Sequence, residues 1–252
     1  RVHTFCHAVP GRWHVMGVTQ AAGLSLRWFR DRFGTRGTEA AAVAAESDAA
    51  RGGAASSEAS GAASSDVAGG ETRGGRDPYE LLSEEAAAAP PGADGLLWTP
   101  YLMGERTPHL DPQTRAALVG LTMSHTRAHV VRAILEGVAF SLRDTLTIFA
   151  EMNVPVRGIK LGGGGARSAL WRQIQADVYG QAIELVEAEE GAAYGAALLA
   201  GVGGGAWSTV DEACEAAVRV RARLEPDAAR ARLMDERYRV YRAVYPALRD
   251  VL

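Results

Sequence analysis

The sequence predicts an α/β domain in which helices flank a mixed β-sheet. Two short strand-like segments meet around Pro10-Gly11, and strand-like and helix-like segments alternate from residue 96 onward. Of the 252 residues, 47% are hydrophobic, which is enough to form a substantial core. A hairpin followed by alternating strands and helices is typical of a domain with a mixed sheet.

The first two predicted elements are a β-hairpin and a helix. Residues 1–17 contain alternating or apolar runs on either side of Pro10-Gly11, a pattern that predicts the hairpin. The following stretch, "TQAAGLSLRWFRDRF", predicts a helix that stops at Gly34. Its apolar residues recur at helical spacing, and they are Ala21, Leu24, Trp28, Phe29 and Phe33.

Residues 35–76 interrupt this pattern with an Ala/Gly/Ser/Glu stretch that has almost no large apolar side chain. Such a segment buries too little surface to offset the entropy lost on ordering, so we predict a disordered insertion. A partly helical, Ala-rich linker is the alternative. The predicted domain therefore comprises residues 1–34 and 77–252.

The remaining elements follow from hydrophobic periodicity and turn residues. The longest predicted helix runs from about Thr126 to Met152, with Thr126 as its N-cap. The other predicted elements are a helix ending near Pro90-Pro91, strands at Leu96–Leu102 and within 115–124, strand Gly158–Leu161, helix Ala169–Tyr179, strand Ala182–Val186, and helices Ala192–Leu199, Val210–Arg219 and Ala228–Leu248.

Composition excludes several classes of function. The net charge of -3 and the sequence pI of about 6.1 provide no basic surface for nucleic acid. Apolar runs stay below the ~20 residues of a membrane span. Cys6 and Cys214 predict buried thiols in a reducing compartment, and we expect no metal site and a cytoplasmic location. The start, which lacks Met and a signal-peptide pattern, predicts a fragment of a longer chain.

The segment "GIKLGGGGARSALWRQ" places four glycines between a strand-like run and a helix-like run. In such a turn, backbone N–H groups and the helix dipole can hold an anion. Neither the Walker pattern nor the dinucleotide pattern fits, so a plain turn remains the alternative. A second small-residue segment, "EEGAAYGAALLAG", predicts a thin helix that either packs closely on the sheet or lies under the same turn.

Four segments together resemble the FGGY carbohydrate kinases. In "ALVGLTMSHTRAHVVRAILEGVAF", Gly120-Leu121, His129-Val130 and Ala133-Ile134-Leu135-Glu136 match the second signature of that family. The segments "PYLMGERTPHLDPQTRAALVGLT", "GGGGARSALWRQIQADVYG" and "GAAYGAALLAG" stand in the expected order for the C-terminal half of a member. The resemblance covers residues 1–34 and 77–252, and it implies an actin-like ATPase (ribonuclease H-like) fold, the second domain of a sugar kinase.

The resemblance also implies a reaction, its cofactors and its partners. It implies phosphoryl transfer from ATP, with Mg²⁺, to a sugar hydroxyl, O5 of D-xylulose. Gluconate, ribulose or glycerol are alternative substrates, and a non-catalytic actin-like module is the alternative function. The base and most sugar contacts belong to an N-terminal kinase domain, so we assign no catalytic and no metal-binding residue here. A homodimer is possible. The implied nucleotide-binding residues are Gly23, Arg27, Gly163, Gly164, Gly165 and Ser168.

Several residues keep two interpretations. Arg27 either pairs with a phosphate or is a solvated helix residue. Arg106, in the loop "GERTPHLDP", either faces the cleft or forms a buried pair with Glu105 or Asp111. For His129 and Glu136, which lie seven residues apart on one helix, we favour packing and hydrogen bonding.

Overall fold

The computed structural model describes residues 2–34, 76–188 and 191–251, and it combines helices with three small β-sheets in these ranges. The predicted disordered insertion at 35–76 lies outside the described residues, except for Arg76. The alternation of strands and helices agrees with the predicted α/β class.

The predicted N-terminal hairpin is confirmed. Strand β1 (His3–Cys6) pairs antiparallel with β2 (Trp13–Met16), with Phe5 opposite His14. Helix α1 (Ala22–Phe33) follows and ends at Gly34, as predicted. One face of α1 packs on the core through Phe29, and Trp28 stacks on Trp98 with ring centroids 5.5 Å apart.

Helix α2 (Pro78–Ala87) precedes a short antiparallel pair of strands. Asp77 caps α2 by accepting a hydrogen bond from the backbone N–H of Tyr79. Strands β3 (Leu97–Thr99) and β4 (Ala117–Val119) form the pair, and both are shorter than predicted. Pro100 directly follows β3 and lacks the N–H that would continue the ladder, which explains the shorter strand.

Helix α3 (Arg127–Glu151) is the central element of the core, and its predicted N-cap, Thr126, is confirmed. The Thr126 N–H donates to Nδ1 of His129 at 3.1 Å, and the His129 N–H donates back to the Thr126 carbonyl at 3.0 Å. Along α3, the buried face packs against α1, α2 and β3. Gly137 makes the contact with β3 possible, because a Cβ there would lie 2.1 Å from the carbonyl oxygen of Trp98.

A mixed three-stranded sheet closes the C-terminal half, as predicted for the fold class. Strand β5 (Ile159–Leu161) pairs parallel with β6 (Ile183–Val186), and β7 (Val220–Leu224) pairs antiparallel with β6. Strand β7 was not predicted from the sequence, and the preceding helix was predicted to extend to Arg219. The structure ends that helix at Ala217, because the next residues join the sheet edge.

Four helices accompany this sheet. They are α4 (Ala169–Tyr179), α5 (Gly191–Gly203), α6 (Val210–Ala217) and α7 (Ala228–Leu248). Helices α4 and α7 pack on each other and on α3, so they complete the core. Its largest fully buried side chains include Tyr101, Tyr241, Phe140, Leu96, Ile134 and Ile148.

Two surface properties concern the predictions from composition. Cys6 and Cys214 are both free and exposed, so the expectation of buried thiols is wrong. Cys6 lies on β1 of the hairpin, where neither face is covered, and Cys214 lies on the outer side of α6. Among the described helices, none combines the length and the apolar character needed to cross a membrane.

Candidate functional site

The glycine-rich turn between β5 and α4 has the open geometry that a ligand-binding loop requires. Gly162, Gly163 and Gly164 are exposed, and a Cβ added at any of them would meet no atom within 4 Å. Gly163 has φ 79° and ψ 177°, a conformation that is essentially restricted to glycine. Packing therefore does not explain these three glycines, whereas close approach of a ligand to the backbone would.

The rest of the turn has a structural explanation. Ser168 caps α4, as predicted, because its Oγ accepts a hydrogen bond from the Trp171 N–H at 3.2 Å. The same hydroxyl donates to Oγ of Ser83 at 3.1 Å. A Cβ at Gly165 would lie 3.1 Å from Nε1 of Trp171. Gly165 and Ser168 thus shape the turn, and Gly162–Gly164 form its open part.

Gly23 and Arg27 lie one turn apart on the exposed face of α1. The N-cap of α1 is Ala21, which has no side-chain acceptor, so the first N–H groups of this helix receive no side-chain cap. Arg27 makes no hydrogen bond or ion pair with the described residues. The N-terminal end of α1 is therefore also suited to an anion.

Helix α2 contacts both α1 and the glycine-rich turn. The guanidinium of Arg30 on α1 lies 4.8 Å from the ring centroid of Tyr79 on α2, and Ser83 of α2 bonds Ser168. The two groups of predicted residues therefore border one helix. This role of α2 was not predicted, because a lone Ser83 carries no recognisable pattern.

A cleft of about 420 Å³ opens where α2 ends, between residues 87–91, α4 and the beginning of α7. Its polar groups already bond one another. The buried Asp177 accepts hydrogen bonds from Nε of Arg230 at 2.6 Å, from the Asp227 N–H at 2.8 Å and from Gln173 at 2.8 Å. We assign the cleft no ligand because these groups are satisfied without one.

The family signature on α3 has a structural role in this chain. Nε of Arg132 donates to Glu136 at 2.8 Å, and both side chains are buried. Arg132 also donates to the Ala89 carbonyl, and Glu136 accepts from the Gly92 N–H, both at 3.0 Å. Burial raises the pKa of Glu136, and Arg132 opposes that change. The pair therefore fastens the loop between α2 and β3 to α3, consistent with the favoured interpretation of Glu136.

His129 connects the same signature to that loop. Its Nδ1 accepts from the Thr126 N–H, so its Nε2 is free to donate to Oδ2 of Asp94 at 3.1 Å. Asp94 has φ 48°, a left-handed conformation that Asp tolerates better than most residues. The contacts of His129 are thus those of a helix cap and a loop anchor.

Arg106 forms neither of the two ion pairs considered from the sequence. Its Nη2 lies 3.0 Å from Nε2 of His3 on the hairpin. Glu105 turns inward and accepts hydrogen bonds from the N–H groups of Arg106 and Gln20. Asp111 caps its own turn through the N–H groups of Gln113 and Thr114, and it accepts from the Tyr245 hydroxyl.

Three aspartates, Asp111, Asp144 and Asp177, are engaged in contacts within the described residues. Asp111 and Asp177 are engaged as described above, and the Tyr238 hydroxyl donates to Asp144 at 2.6 Å. No group of three or more His, Cys, Asp or Glu side chains in the described part of the chain could hold a metal ion.

Helix α5 does not pack where the small-residue pattern suggested. Its main neighbour is α6, and the Tyr194 hydroxyl donates to the Ala217 carbonyl at 2.7 Å. Of its residues, Leu198 is the buried one, although the helix is apolar throughout. The contacts of α5 thus do not support the expected position under the glycine-rich turn.

Comparison with known proteins gives consistent matches. The chain is 34% identical over 244 residues to a xylulose kinase of Staphylococcus epidermidis, covering 97% of this chain and 41% of the relative. It is 36% identical over 197 residues to a gluconokinase of Bacillus subtilis, covering 77% of this chain and 33% of the relative. The crystal structure of a xylulose kinase from Rhodospirillum rubrum superposes with a TM-score of 0.74 at 30% identity, covering 99% of this chain and 43% of that one.

The chain thus spans about two fifths of the length of the xylulose kinases that it matches. The model of the C-terminal domain of the FGGY family of carbohydrate kinases matches residues 1–204. This match and the superposition confirm the predicted actin-like α/β fold. The chain belongs to the FGGY family of carbohydrate kinases, as its C-terminal domain.

Proposed function

We propose that this chain is the nucleotide-binding half of an ATP-dependent sugar kinase that converts D-xylulose to D-xylulose 5-phosphate in the cytoplasm. The observation that carries the proposal is the open part of the glycine-rich turn, Gly162–Gly164, placed before the N-terminus of α4. The family and the similarity to a xylulose kinase support the same reading.

The phosphates of ATP would bind where backbone donors are exposed. Gly163 and Gly164 allow close approach because they have no Cβ, and the N-termini of α1 and α4 add favourable dipoles. Gly23 would let a phosphate or ribose pass along α1, and Arg27, whose guanidinium has no partner among the described residues, would pair with a phosphate. Ser168 would keep the turn in place through its bonds to Trp171 and Ser83.

Mg²⁺ would neutralise phosphate charge, bound mainly by ATP oxygens and by groups outside this chain. The transfer breaks the bond between the γ-phosphorus and the bridging oxygen of ADP and forms a bond to O5 of the sugar, whose proton passes to a base. Because the described aspartates are engaged in structural contacts, we place that base in an N-terminal domain.

Two regions support the need for such a domain. The hairpin exposes large apolar side chains, with Phe5 45% and Trp13 66% accessible, and α5 exposes most of an apolar surface. Exposed apolar patches of this kind mark interaction surfaces. We propose that the N-terminal kinase domain covers part of them; a homodimer would be the other way to cover them.

The test is ADP release by the 252-residue chain with Mg-ATP, with and without D-xylulose, together with calorimetric titration of Mg-ADP. We expect Mg-ADP to bind and ADP release to be independent of the sugar. Absence of Mg-ADP binding would contradict a nucleotide-binding half. Sugar-stimulated turnover by the chain alone would contradict the placement of the base in another domain.

Gluconate is the second candidate substrate, because the chain is 36% identical to a gluconokinase over 197 residues. Addition of a separately expressed N-terminal domain from a xylulose kinase, and in a parallel sample from a gluconokinase, would distinguish the two. We expect turnover with the first domain and D-xylulose. Turnover only with the second domain and gluconate would reassign the substrate.

A further inference from the structure

Helix α1 carries Gly23 in its first turn, which buried Ser25 holds from the core side by donating to the Ala21 carbonyl at 2.8 Å but which has no side-chain cap. Ala21 provides no capping side chain, and the preceding residues 17–20 belong to neither β2 nor α1. The position of Gly23 therefore also depends on the contacts that hold this connecting segment.

These contacts come from the loop 104–112. The Thr107 N–H donates to the Val18 carbonyl at 2.8 Å, and the Val18 N–H donates to Oγ1 of Thr107 at 3.0 Å. Two residues further along, the Gln20 N–H donates to Oε1 of Glu105 at 2.9 Å. Together these three hydrogen bonds fasten the connecting segment to the loop immediately before α1 begins.

Glu105 is the unusual member of this contact. Its side chain is 3% exposed, and its Oε1 accepts from both Gln20 and Arg106, whereas Oε2 is buried without a partner in the described part of the chain. The titratable groups that face it are Asp144 from α3, Tyr241 from α7 and Tyr101. Burial raises the pKa of Glu105 to about 7.

A buried carboxyl with one unpartnered oxygen is destabilising for the fold. An apolar residue of similar size would avoid this cost, but it would leave two backbone N–H groups without an acceptor. The contacts of Glu105 therefore join its own loop, through the Arg106 N–H, to the entry of α1, through the Gln20 N–H.

We propose that Glu105 is a positioning residue for the nucleotide site, which fixes the first turn of α1, and so Gly23, from the loop 104–112. This inference rests on the proposed function, because it takes Gly23 to border the nucleotide. Glu105 itself touches no reacting group in this scheme.

The experiment compares Glu105→Gln and Glu105→Ala with the control Asp111→Asn in the 252-residue chain. The control alters the same loop, but its carboxylate bonds Tyr245 and its own turn rather than the connecting segment. Each variant is examined by amide hydrogen exchange at Gln20 and in the first turn of α1, and by Mg-ADP titration from pH 6 to 8.5.

We expect Glu105→Ala to speed exchange at Gln20 and to weaken Mg-ADP binding about tenfold, because two N–H groups lose their acceptor. Glu105→Gln keeps an acceptor oxygen and should restore both. It should also abolish a several-fold weakening of Mg-ADP binding that we expect for the unaltered chain above pH 7, because the charge on buried Glu105 is then poorly solvated and favours opening of the contact. Asp111→Asn should leave Gln20 exchange and Mg-ADP affinity unchanged.

Equal effects of Glu105→Ala and Asp111→Asn would overturn the proposal, since general loop stability would then explain both. If Glu105→Ala does not fold, the proposal is tested by Mg-ADP titration of Glu105→Gln and of the unaltered chain from pH 6 to 8.5. The same pH dependence of Mg-ADP affinity in both proteins would overturn the proposal. If no variant binds Mg-ADP, the proposed function fails, while exchange at Gln20 still tests the positioning role.

Discussion

Two sets of glycines in this chain differ in what surrounds them. A Cβ at Gly104 would lie 2.6 Å from the carbonyl oxygen of Pro112, and a Cβ at Gly137 would lie 2.1 Å from that of Trp98. We call these the closed glycines. At the open glycines, Gly162–Gly164, the same added atom would meet nothing within 4 Å.

The difference shows why the composition of a segment does not reveal its purpose. The closed glycines let two parts of the backbone approach each other, so their effect is on folding. The open glycines keep space clear that no part of the described chain occupies, so their effect should appear when a ligand arrives. Substitution of a closed glycine should therefore lower stability, whereas substitution of an open glycine should mainly weaken nucleotide binding.

Gly137→Ala should produce the largest loss of stability, about 3 kcal/mol or more in the free energy of unfolding. The new methyl group would overlap the Trp98 carbonyl, and neither α3 nor β3 can move away without disturbing the core. Urea unfolding measures the loss. Gly195→Ala, in the exposed helix α5 with open space around it, is the control, and a similar loss there would contradict the distinction.

Glu105, next to the closed Gly104, should make the stability of the chain depend on pH. Because burial raises the pKa of Glu105 to about 7, the native chain keeps a proton that the unfolded chain releases near pH 4.5. The stability that this proton provides is complete below pH 4.5 and is lost as the pH rises to about 7.

The free energy of unfolding of Glu105→Gln, relative to that of the unaltered chain, should therefore rise by about 3 kcal/mol as the pH increases from 4.5 to 8. Urea unfolding of both proteins across this range gives the difference, in which the other titrating groups cancel. A difference that stays constant with pH would show that Glu105 ionises as it does in water.

Gly163→Ala should have an intermediate effect and lower the free energy of unfolding by about 1–2 kcal/mol. The reason is that the backbone conformation of Gly163 is strained for any residue with a Cβ. Thermal unfolding would detect it as a lower Tm. Gly158→Ala, at the other end of β5 with neither positive φ nor a close neighbour, is the matched control and should be neutral.

Gly164→Ala should have the smallest effect on stability, within about 0.5 kcal/mol, because its added methyl group meets open space. Its effect on nucleotide binding should nevertheless be large, with Mg-ADP affinity at least about tenfold weaker. Calorimetric titration tests this, with Gly158→Ala again as control. Unchanged affinity would remove the main support for the proposed nucleotide site.

Much of the fold could be predicted from the sequence where hydrophobic spacing and capping residues agree. Helix α3 was predicted from its periodicity and from Thr126, and the hairpin from the turn at Pro10-Gly11. Strand β7 was missed because its alternation is short and its intervening residues are Arg221 and Arg223, which a helix also accommodates. Such edge strands form through pairing with a distant partner, here β6, which local pattern does not reveal.

The site could be predicted less well, for a similar physical reason. The glycine-rich turn and the Ser168 cap are local features, so their positions followed from the sequence. The inward turn of Glu105 and the contact of Arg106 with His3 join segments about a hundred residues apart. The assignment of Gly23 and Arg27 rests on family resemblance and remains a prediction.

The exposed position of α5 offers a way to detect the binding of a partner to this chain. A helix of 13 residues is near the limit of stability in water, and Leu198 is the one residue of α5 that is buried among the described residues. We therefore expect α5 to unfold locally and to be cut early by proteases. Slower cleavage within Gly191–Gly203 on mixing with a candidate partner would report docking without any enzymatic assay.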